Sequence, residues 1–348
     1  MKEENQKDIK CVIWDLDNTI WDGVLLESET VVLKKKIKTI LQTLDERGIL
    51  NSISSKNNYD DAMRKLKEFQ IDQYFLYPQI NWNRKSESVK QIQKELNIGV
   101  DTILFVDDQQ FELDEVKSVC PEVMCVNASM YEALLNMKRL NPRFITQDSK
   151  RRRLMYLENI ERQKEEEAFH GPQIEFLVGL NMEFKISKAT EGDLERAEEL
   201  TVRTNQLNST GITYDYHYLK ELIESEDYML LVCELKDKYG SYGKIGLSLV
   251  KKEKERWIIK LLLMSCRVVS RGVGTILLTY IMNEAKKHNV QLYADFKRTG
   301  RNKMMMITYS FANFKMVKKD EEGCCLLEND LSIIQPYPDY LKLLIDVD

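Results

Sequence analysis

The sequence predicts an α/β protein with two domains, and three observations support this prediction. Through the first 140 residues, short apolar runs alternate with segments of helical periodicity. Polar side chains follow several of these apolar runs. A second alternation begins near Asn181, after a highly charged segment, and a chain of 348 residues is long enough for two domains.

The first domain is predicted over residues 1–145. Its strand candidates are Lys10–Asp15, Ile49–Ser54, Tyr74–Tyr77, Thr102–Asp107 and Val123–Val126. Its helix candidates are Lys34–Arg47, Tyr59–Phe69, Lys85–Leu96, Phe111–Val119 and Met130–Leu140. Strands that alternate with helices favour a parallel sheet covered on both faces, in which ligands bind at the carboxyl ends of the strands.

The most informative stretch is the run Cys11–Trp14 followed by Asp15-Leu16-Asp17-Asn18-Thr19. Two acids separated by one residue at a strand end repel each other unless a cation lies between them. A hard cation such as Mg²⁺ resolves the repulsion. One carboxylate can then attack phosphorus and the other can move a proton.

Other polar residues are placed at the same predicted sheet edge: Ser54 and Ser55 end one strand candidate, and Asp107 and Asp108 end another. This coincidence carries more weight than any single motif. Two alternatives stay open. Lys85 could be an exposed residue at a helix start, and one of the two aspartates could cap the helix that follows.

Residues 11–108 resemble the haloacid dehalogenase superfamily of phosphotransferases. The resemblance implies that Asp15 is the nucleophile and Asp17 the general acid and base. It implies that Ser55 binds the phosphoryl group and that Lys85 neutralises the nucleophile and the phosphate. The acidic pair Asp107-Asp108 would complete a Mg²⁺ site with Asp15 and Asp17.

The spacing also predicts the fold variant. Ile20–Val32 separates Asp17 from the first helix and leaves room for a hairpin or flap, and one helix and one strand separate Ser55 from Lys85. We therefore expect an uncapped, Rossmann-like haloacid dehalogenase domain. Such an open site accepts a large partner, whereas a site for small molecules more often needs a lid.

Several strings resemble a narrower group, the FkbH-like proteins. They are Trp14–Trp21, Ser55–Asn57, Ile80–Trp82, Lys85–Glu87, Phe105–Asp108, Arg203–Asn208 and Met264–Arg267. The resemblance implies a Mg²⁺-dependent enzyme that takes the glyceryl unit of 1,3-bisphosphoglycerate, removes its phosphates and loads an acyl carrier protein.

Position 54 departs from that resemblance. Many glyceryl-loading members have a cysteine immediately before the Ser-Lys-Asn string, whereas this chain has Ser54. A serine hydroxyl is a poorer nucleophile at neutral pH and forms an ester. Three routes stay open: direct transfer to the carrier thiol, another residue that holds the glyceryl group, or removal of phosphate alone. A catalytically silent module that binds the carrier is a further alternative.

A charged helical linker is predicted over residues 146–180. It contains the basic run Lys150–Arg153 and the acidic run Glu165–Glu167. We interpret it as a solvated connecting helix, and the alternative is that its basic end docks an acidic partner protein.

The second domain is predicted over residues 181–348, with a mixed α/β fold. Its strand candidates are Met182–Ile186, Tyr228–Leu235, Lys244–Val250, Trp257–Cys266 and Gln291–Asp295, and the second to fourth are expected to pair antiparallel. Its helix candidates are Asp193–Arg203, a segment that ends near His288, and Lys303–Phe311.

The loop Arg271-Gly272-Val273-Gly274-Thr275 precedes the second of these helices, and its glycines would let backbone N–H groups face a pyrophosphate. Residues 183–320 resemble the Gcn5-related N-acetyltransferase fold. The resemblance implies that the loop, Asn302 and Tyr309 bind coenzyme A or a phosphopantetheine arm, with Tyr309 as a proton donor. Packing of Tyr309 against the sheet is an equal alternative.

Composition limits the remaining function classes. A net charge of −5 argues against general binding of nucleic acid, and no apolar run is long enough for a membrane span. Seven cysteines without a Cys-x-x-Cys pair and a polar start at Met1–Asn5 predict a cytoplasmic protein with reduced thiols.

Overall fold

The computed structural model describes residues 7–28, 30–204 and 206–347. The polar start Met1–Asn5 and Asn205 of the Arg203–Asn208 string lie outside the described residues. The chain divides into two compact units, Met1–Asn159 and Ile160–Asp348. The division falls within the segment predicted as a charged linker. That segment contains three helices: α5 (Gln147–Lys150), α6 (Arg152–Ala168) and α7 (Gln173–Gly179).

Unit 1 is built on a parallel sheet with the strand order β5-β4-β1-β6-β7. The strands are β1 (Cys11–Trp14), β4 (Leu50–Ser55), β5 (Gln79–Ile80), β6 (Ile103–Asp107) and β7 (Met124–Asn127). The helices are α1 (Ile37–Glu46), α2 (Tyr59–Glu68), α3 (Lys85–Leu96) and α4 (Gln110–Val119). Every residue of β1, β4 and β6 is buried, as expected for central strands with helices on both faces.

A short hairpin of β2 (Trp21–Asp22) and β3 (Val32–Leu33) fills the space between Asp17 and α1. This is the hairpin or flap that the spacing predicts. No separate cap domain interrupts the described residues between β1 and α3.

Two predicted elements of unit 1 are wrong. Tyr74–Tyr77 is no strand: Asp72–Tyr74 forms a 3-10 turn and the edge strand β5 follows later. Met130–Leu140 is no α-helix, because two 3-10 stretches, Ala128–Asn136 and Lys138–Leu140, cover this part of the chain. A stretch of apolar residues spaced three and four apart fits either kind of helix, so the sequence pattern does not separate them.

Unit 2 has an eight-stranded mixed sheet with the order β13-β14-β12-β11-β10-β9-β8-β15. The strands are β8 (Met182–Lys188), β9 (Tyr228–Asp237), β10 (Gly240–Lys252), β11 (Arg256–Met264), β12 (Gln291–Lys297), β13 (Phe314–Lys319), β14 (Cys324–Asn329) and β15 (Leu341–Asp346). The helices are α8 (Leu194–Arg203), α9 (Tyr216–Glu224), α10 (Ile276–Lys287) and α11 (Lys303–Phe311). The antiparallel pairing of β9, β10 and β11 is confirmed.

The parallel strands β11 and β12 pair only along their first halves, from Arg256–Ile259 to Gln291–Ala294. Beyond this point the segment Leu207–Ser209 lies between them. The Ser209 N–H donates to the Leu262 carbonyl at 2.9 Å, and the Lys297 N–H donates to the Ser209 carbonyl at 3.0 Å. The chain itself therefore satisfies the backbone groups that the divergence of the two strands leaves unpaired.

A buried ion pair joins α6 to the β9–β10 hairpin within unit 2. The Arg162 guanidinium donates to both carboxylate oxygens of Asp237, at 2.6 and 2.8 Å. The Tyr242 hydroxyl also donates to Asp237, and the Tyr242 ring lies 4.0 Å from the guanidinium carbon. Bidentate geometry and these additional contacts offset the desolvation of the two charges.

A helix that crosses a bilayer needs roughly 20 consecutive, mostly apolar residues. Within the parts of the chain that the structure describes, no helix combines the length and the hydropathy that crossing a bilayer requires.

Candidate active site

The candidate site lies at the carboxyl edge of the parallel sheet in unit 1. Asp15 follows β1, Ser55 ends β4 and Asp107 ends β6. These three strands are neighbours, and Trp14 pairs with Ile53 on one side and with Val106 on the other. The strand order therefore brings three residues that are far apart in sequence to one point, as the sequence predicts.

The Lys85 side chain extends to this end of the sheet. Its Nζ lies 2.5 Å from Asp15 Oδ1 and 3.0 Å from Asp107 Oδ2, and it donates to the Ser54 carbonyl at 2.7 Å. The side chain is 4% exposed. Burial alone would lower the pKa of Lys85, but the Asp15 and Asp107 carboxylates outweigh burial and the pKa is raised. Lys85 is thus a charged residue inside the site and not an exposed residue at a helix start.

Asp15, Asp107 and Asp108 form a group in which one oxygen of each carboxylate lies within 4.8 Å of the others. Three carboxylate oxygens at this separation suit a hard divalent cation such as Mg²⁺. Burial, followed by the charge of Asp15, raises the pKa of Asp107 to about 6 despite the opposing effect of Lys85. Burial and Asp15 also raise the pKa of Asp108. A divalent cation would relieve this crowding of negative charge, so the residues fit the metal.

Asp17, the remaining predicted ligand, is not part of that group. Its Oδ1 accepts hydrogen bonds from the Trp21 indole N–H at 2.8 Å and the Leu25 backbone N–H at 3.0 Å. Its Oδ2 accepts from the Asn57 amide at 2.9 Å. The hairpin and the turn after β4 thus fix the Asp17 carboxylate, and its role as acid and base stays a prediction.

The two serines of β4 differ in their surroundings. Ser55 Oγ accepts a hydrogen bond from the Asn57 amide at 3.2 Å, so Asn57 joins Ser55 to Asp17. Ser54 Oγ is buried and has no hydrogen-bond partner among the described residues. Because successive residues of a strand point to opposite faces, the Ser54 hydroxyl lies on the other face of the sheet from Ser55.

Asn57 and Trp21 are the residues that the site prediction missed. Both occur in strings quoted for the narrower resemblance, so a signal was present. Their role depends on hydrogen bonds to Asp17, which lies 40 and 4 residues away respectively.

In unit 2, the loop predicted to bind a cofactor is partly covered by its own chain. Arg271 is 1% exposed, and its guanidinium donates to the Glu166 carboxylate at 3.0 Å. The Tyr340 hydroxyl donates to the Gly272 carbonyl at 3.1 Å. Val273 is buried, and Gly272, Gly274 and Thr275 are exposed within the loop.

Asn302 and Tyr309, the other predicted cofactor residues, are completely buried. The Asn302 amide nitrogen donates to the carbonyls of Asn208 and Lys297, both at 2.9 Å, and its oxygen accepts from the Thr299 N–H at 3.0 Å. The Tyr309 ring packs against Phe314, with 5.1 Å between ring centroids. Its hydroxyl has no hydrogen bond of standard geometry to a described residue, and burial raises its pKa.

Several of these residues already have partners within unit 2, and binding of coenzyme A or a pantetheine arm by the exposed part of the loop stays a prediction. Arg271 is paired with Glu166, the Gly272 carbonyl accepts a hydrogen bond from Tyr340, and Asn302 holds the segment Leu207–Ser209 in place. Tyr309 corresponds to the packing alternative, since no solvent reaches its hydroxyl.

Comparison with protein families gives one match in unit 1. A model described as haloacid dehalogenase-like hydrolase matches residues 24–119, less than a third of the chain. The matched range includes Ser55, Lys85, Asp107 and Asp108 and begins after Asp15 and Asp17. No protein with a curated description matches the chain.

Solved structures match parts of the chain. The N-terminal part of protein BF1531 from Bacteroides fragilis, which contains a phosphatase domain complexed with Mg, is 30% identical over 39% of this chain, with a TM-score of 0.33. The present chain spans only 40% of that structure.

The ribosomal-protein-S18-alanine N-acetyltransferase from Escherichia coli is 14% identical over 43% of this chain and 95% of its own, with a TM-score of 0.35. A GNAT family acetyltransferase from Elizabethkingia anophelis with acetyl-CoA bound is 14% identical over 32% of this chain and 81% of its own, with a TM-score of 0.26.

The fold-class prediction is confirmed. The chain is α/β, and unit 1 has the parallel sheet of a haloacid dehalogenase-like hydrolase domain. Unit 2 is a mixed α/β unit with an eight-stranded sheet.

We expect the affinity for Mg²⁺ to fall about tenfold between pH 7 and pH 5. The raised pKa of Asp107, about 6, means that this carboxyl is protonated at pH 5 in the metal-free protein, and binding must then displace a proton. Isothermal titration calorimetry at each pH measures the dissociation constant. Asp107→Asn should remove most of the pH dependence, and an affinity of the wild type that is constant over this range would contradict the prediction.

We expect Asn302→Ala to lower the free energy of unfolding of unit 2 by about 2–4 kcal/mol, because buried carbonyl and N–H groups lose their partner. Hydrogen exchange of peptides from β12 and α11 in the full chain measures the loss. Lys303→Ala, an exposed neighbour, should change the value by less than about 0.5 kcal/mol. Unchanged protection in Asn302→Ala would show that Asn302 is not a structural residue.

Proposed function

We propose that unit 1 catalyses Mg²⁺-dependent phosphoryl transfer with Asp15 as the nucleophile. The observation that carries the proposal is the contact of the buried Lys85 Nζ with both Asp15 and Asp107, beside a group of three carboxylates that fits a divalent cation. A buried lysine at this position attracts an anionic group to the nucleophile and neutralises charge that develops in the transition state.

The reaction has two steps. A carboxylate oxygen of Asp15 attacks phosphorus, the bond from phosphorus to the leaving oxygen breaks, and Asp17 gives that oxygen a proton. Water then attacks the aspartyl phosphate, Asp17 takes the proton from the water, and inorganic phosphate leaves with Asp15 restored. Mg²⁺, when held by Asp15, Asp107 and Asp108, supplies positive charge that favours the approach of phosphate.

Asn57 and Ser55 have supporting roles in this scheme. The Asn57 amide donates to both Asp17 Oδ2 and Ser55 Oγ, and it therefore fixes the distance between the acid and the hydroxyl that faces the phosphoryl group. Ser55 keeps its own O–H free to donate to a phosphoryl oxygen.

The substrate we propose is a phosphorylated glycerate, with an acyl carrier protein as the acceptor. The carrier thiol attacks the acyl carbon of 1,3-bisphosphoglycerate and forms a thioester. The acyl phosphate leaves as inorganic phosphate. The remaining phosphate ester is then hydrolysed at Asp15. The resemblance of the quoted strings to FkbH-like proteins supports this substrate, and the described chain between Asp17 and α1 has a short hairpin instead of a cap domain.

The surroundings of Ser54 favour a second candidate, a phosphatase without acyl transfer. Its hydroxyl is buried and lies on the opposite face of the sheet from Ser55, so it is poorly placed to hold an acyl group. Such an enzyme would hydrolyse another small phosphate ester with the same Asp15 chemistry.

We expect Asp15→Asn to abolish Mg²⁺-dependent phosphate release, because an amide cannot attack phosphorus, while the far-ultraviolet circular dichroism stays unchanged. Asp22→Asn, an exposed change in the hairpin, is the matched control and should retain activity. A colorimetric phosphate assay with a small phosphate ester makes the measurement. Phosphate release by Asp15→Asn at the rate of the control would rule out Asp15 as the nucleophile.

Intact-mass spectrometry separates the two candidate functions. The full chain is incubated with 1,3-bisphosphoglycerate, Mg²⁺ and candidate acyl carrier proteins in their pantetheinylated form. We expect a carrier to gain the mass of a glyceryl group, and the same carrier without its pantetheine thiol should gain nothing. Phosphate release with no gain on any carrier would support the phosphatase alone.

A further inference from the structure

The first turn of α3, which begins at Lys85, is held by a carboxylate from the neighbouring helix α4. Glu115 Oε2 accepts a hydrogen bond from the Ser86 backbone N–H at 3.0 Å, and Glu115 Oε1 accepts from the Ser86 hydroxyl at 2.5 Å. Arg84, the residue before the helix, makes no side-chain capping bond within the described residues. Glu115 therefore does what a capping residue of α3 would otherwise do.

This contact lies directly beside Lys85. Ser86 is 2% exposed, and it follows Lys85, whose Nζ must reach Asp15, Asp107 and the Ser54 carbonyl together. A lysine has a flexible four-carbon stem. Its ammonium position is therefore fixed only if the backbone at the start of α3 is fixed.

Glu115 lies on helix α4, which directly follows the strand and loop that carry Asp107 and Asp108. Asp107 ends β6, Asp108 follows, and α4 begins at Gln110. A second acid of α4, Glu112, pairs with Lys56 at 2.6 Å, just after β4. Helix α4 thus holds the turn after β4 on one side and the start of α3 on the other.

We propose that Glu115 is a positioning residue for the phosphoryl transfer described above: it fixes the start of α3 so that Lys85 meets Asp15 and Asp107. This inference rests on the proposed function. Glu115 itself touches neither the reacting carboxylates nor, in this scheme, the substrate, and it acts through the Ser86 backbone. A shift of about 1 Å at a group that positions a phosphate can cost on the order of 100-fold in rate.

The test is steady-state kinetics of phosphate release with Mg²⁺ and a small phosphate ester. We expect Glu115→Ala to lower kcat about 10- to 100-fold with little change in KM, because the loss concerns alignment in the transition state. Glu115→Gln keeps one acceptor oxygen for Ser86 and should retain most of the activity, so it serves as a conservative rescue and also as a test if Glu115→Ala does not fold.

Asp114→Ala is the matched control. Asp114 is the preceding residue of α4, carries the same charge, is exposed and accepts a hydrogen bond from Gln110 at 2.8 Å. This variant should keep the wild-type kcat.

A double-mutant cycle with Lys85 separates positioning from a loss of folding. In a Lys85→Ala background, Glu115→Ala should cause no further fall in the residual rate, whereas a general structural defect would add to it. Hydrogen exchange should also be faster at the start of α3 in Glu115→Ala and unchanged in Asp114→Ala.

Different outcomes reject different proposals. If the wild type and Asp114→Ala release phosphate and Glu115→Ala keeps their kcat, the role of Glu115 is wrong and the proposed function stands. Additive losses in the cycle would equally reject positioning. If the wild type releases no phosphate from any ester tested, the proposed function itself fails.

Discussion

The buried ammonium of Lys85 is the interaction on which the site depends. It lies among three carboxylates, and burial has already raised the pKa of two of them, Asp107 and Asp108. Without a positive charge, the sheet edge would concentrate negative charge in a region with little solvent, which is strongly unfavourable. Lys85 compensates only part of this charge. The remainder is what allows a divalent cation, and through it an anionic phosphate, to bind at the same place.

The two units use buried polar residues in different ways. In unit 1, buried charges lie at a sheet edge and are only partly compensated, which is typical of a site for chemistry. In unit 2, the equally buried Arg162 and Asn302 have carboxylate or carbonyl partners within their own unit, so they stabilise the fold. Polar residues at comparable burial therefore differ in function according to whether their partners are already present.

The sequence predicts the structure best where a strand and its functional residues are adjacent in the chain. The apolar run before Asp15 and the acidic end of β6 reveal both the strands and their chemistry. Strands with no clear alternation of apolar and polar residues were not predicted. β13 has one buried residue followed by exposed ones, so it shows no alternation, and β5 has only two residues. Distant partners were out of reach in principle: the contacts of Arg271 with Glu166 and of Asn302 with Asn208 join residues 105 and 94 positions apart.

One detail of β4 bears on how such a site can change over evolution. Lys85 is held by the main-chain carbonyl of residue 54, while the side chain of that residue has no hydrogen-bond partner among the described residues. An exchange of oxygen for sulfur at that side chain would therefore leave the electrostatic centre intact. The contacts of Lys85 and the side chain of residue 54 can therefore change independently. Related proteins could carry either oxygen or sulfur at residue 54 while the surrounding residues stay the same.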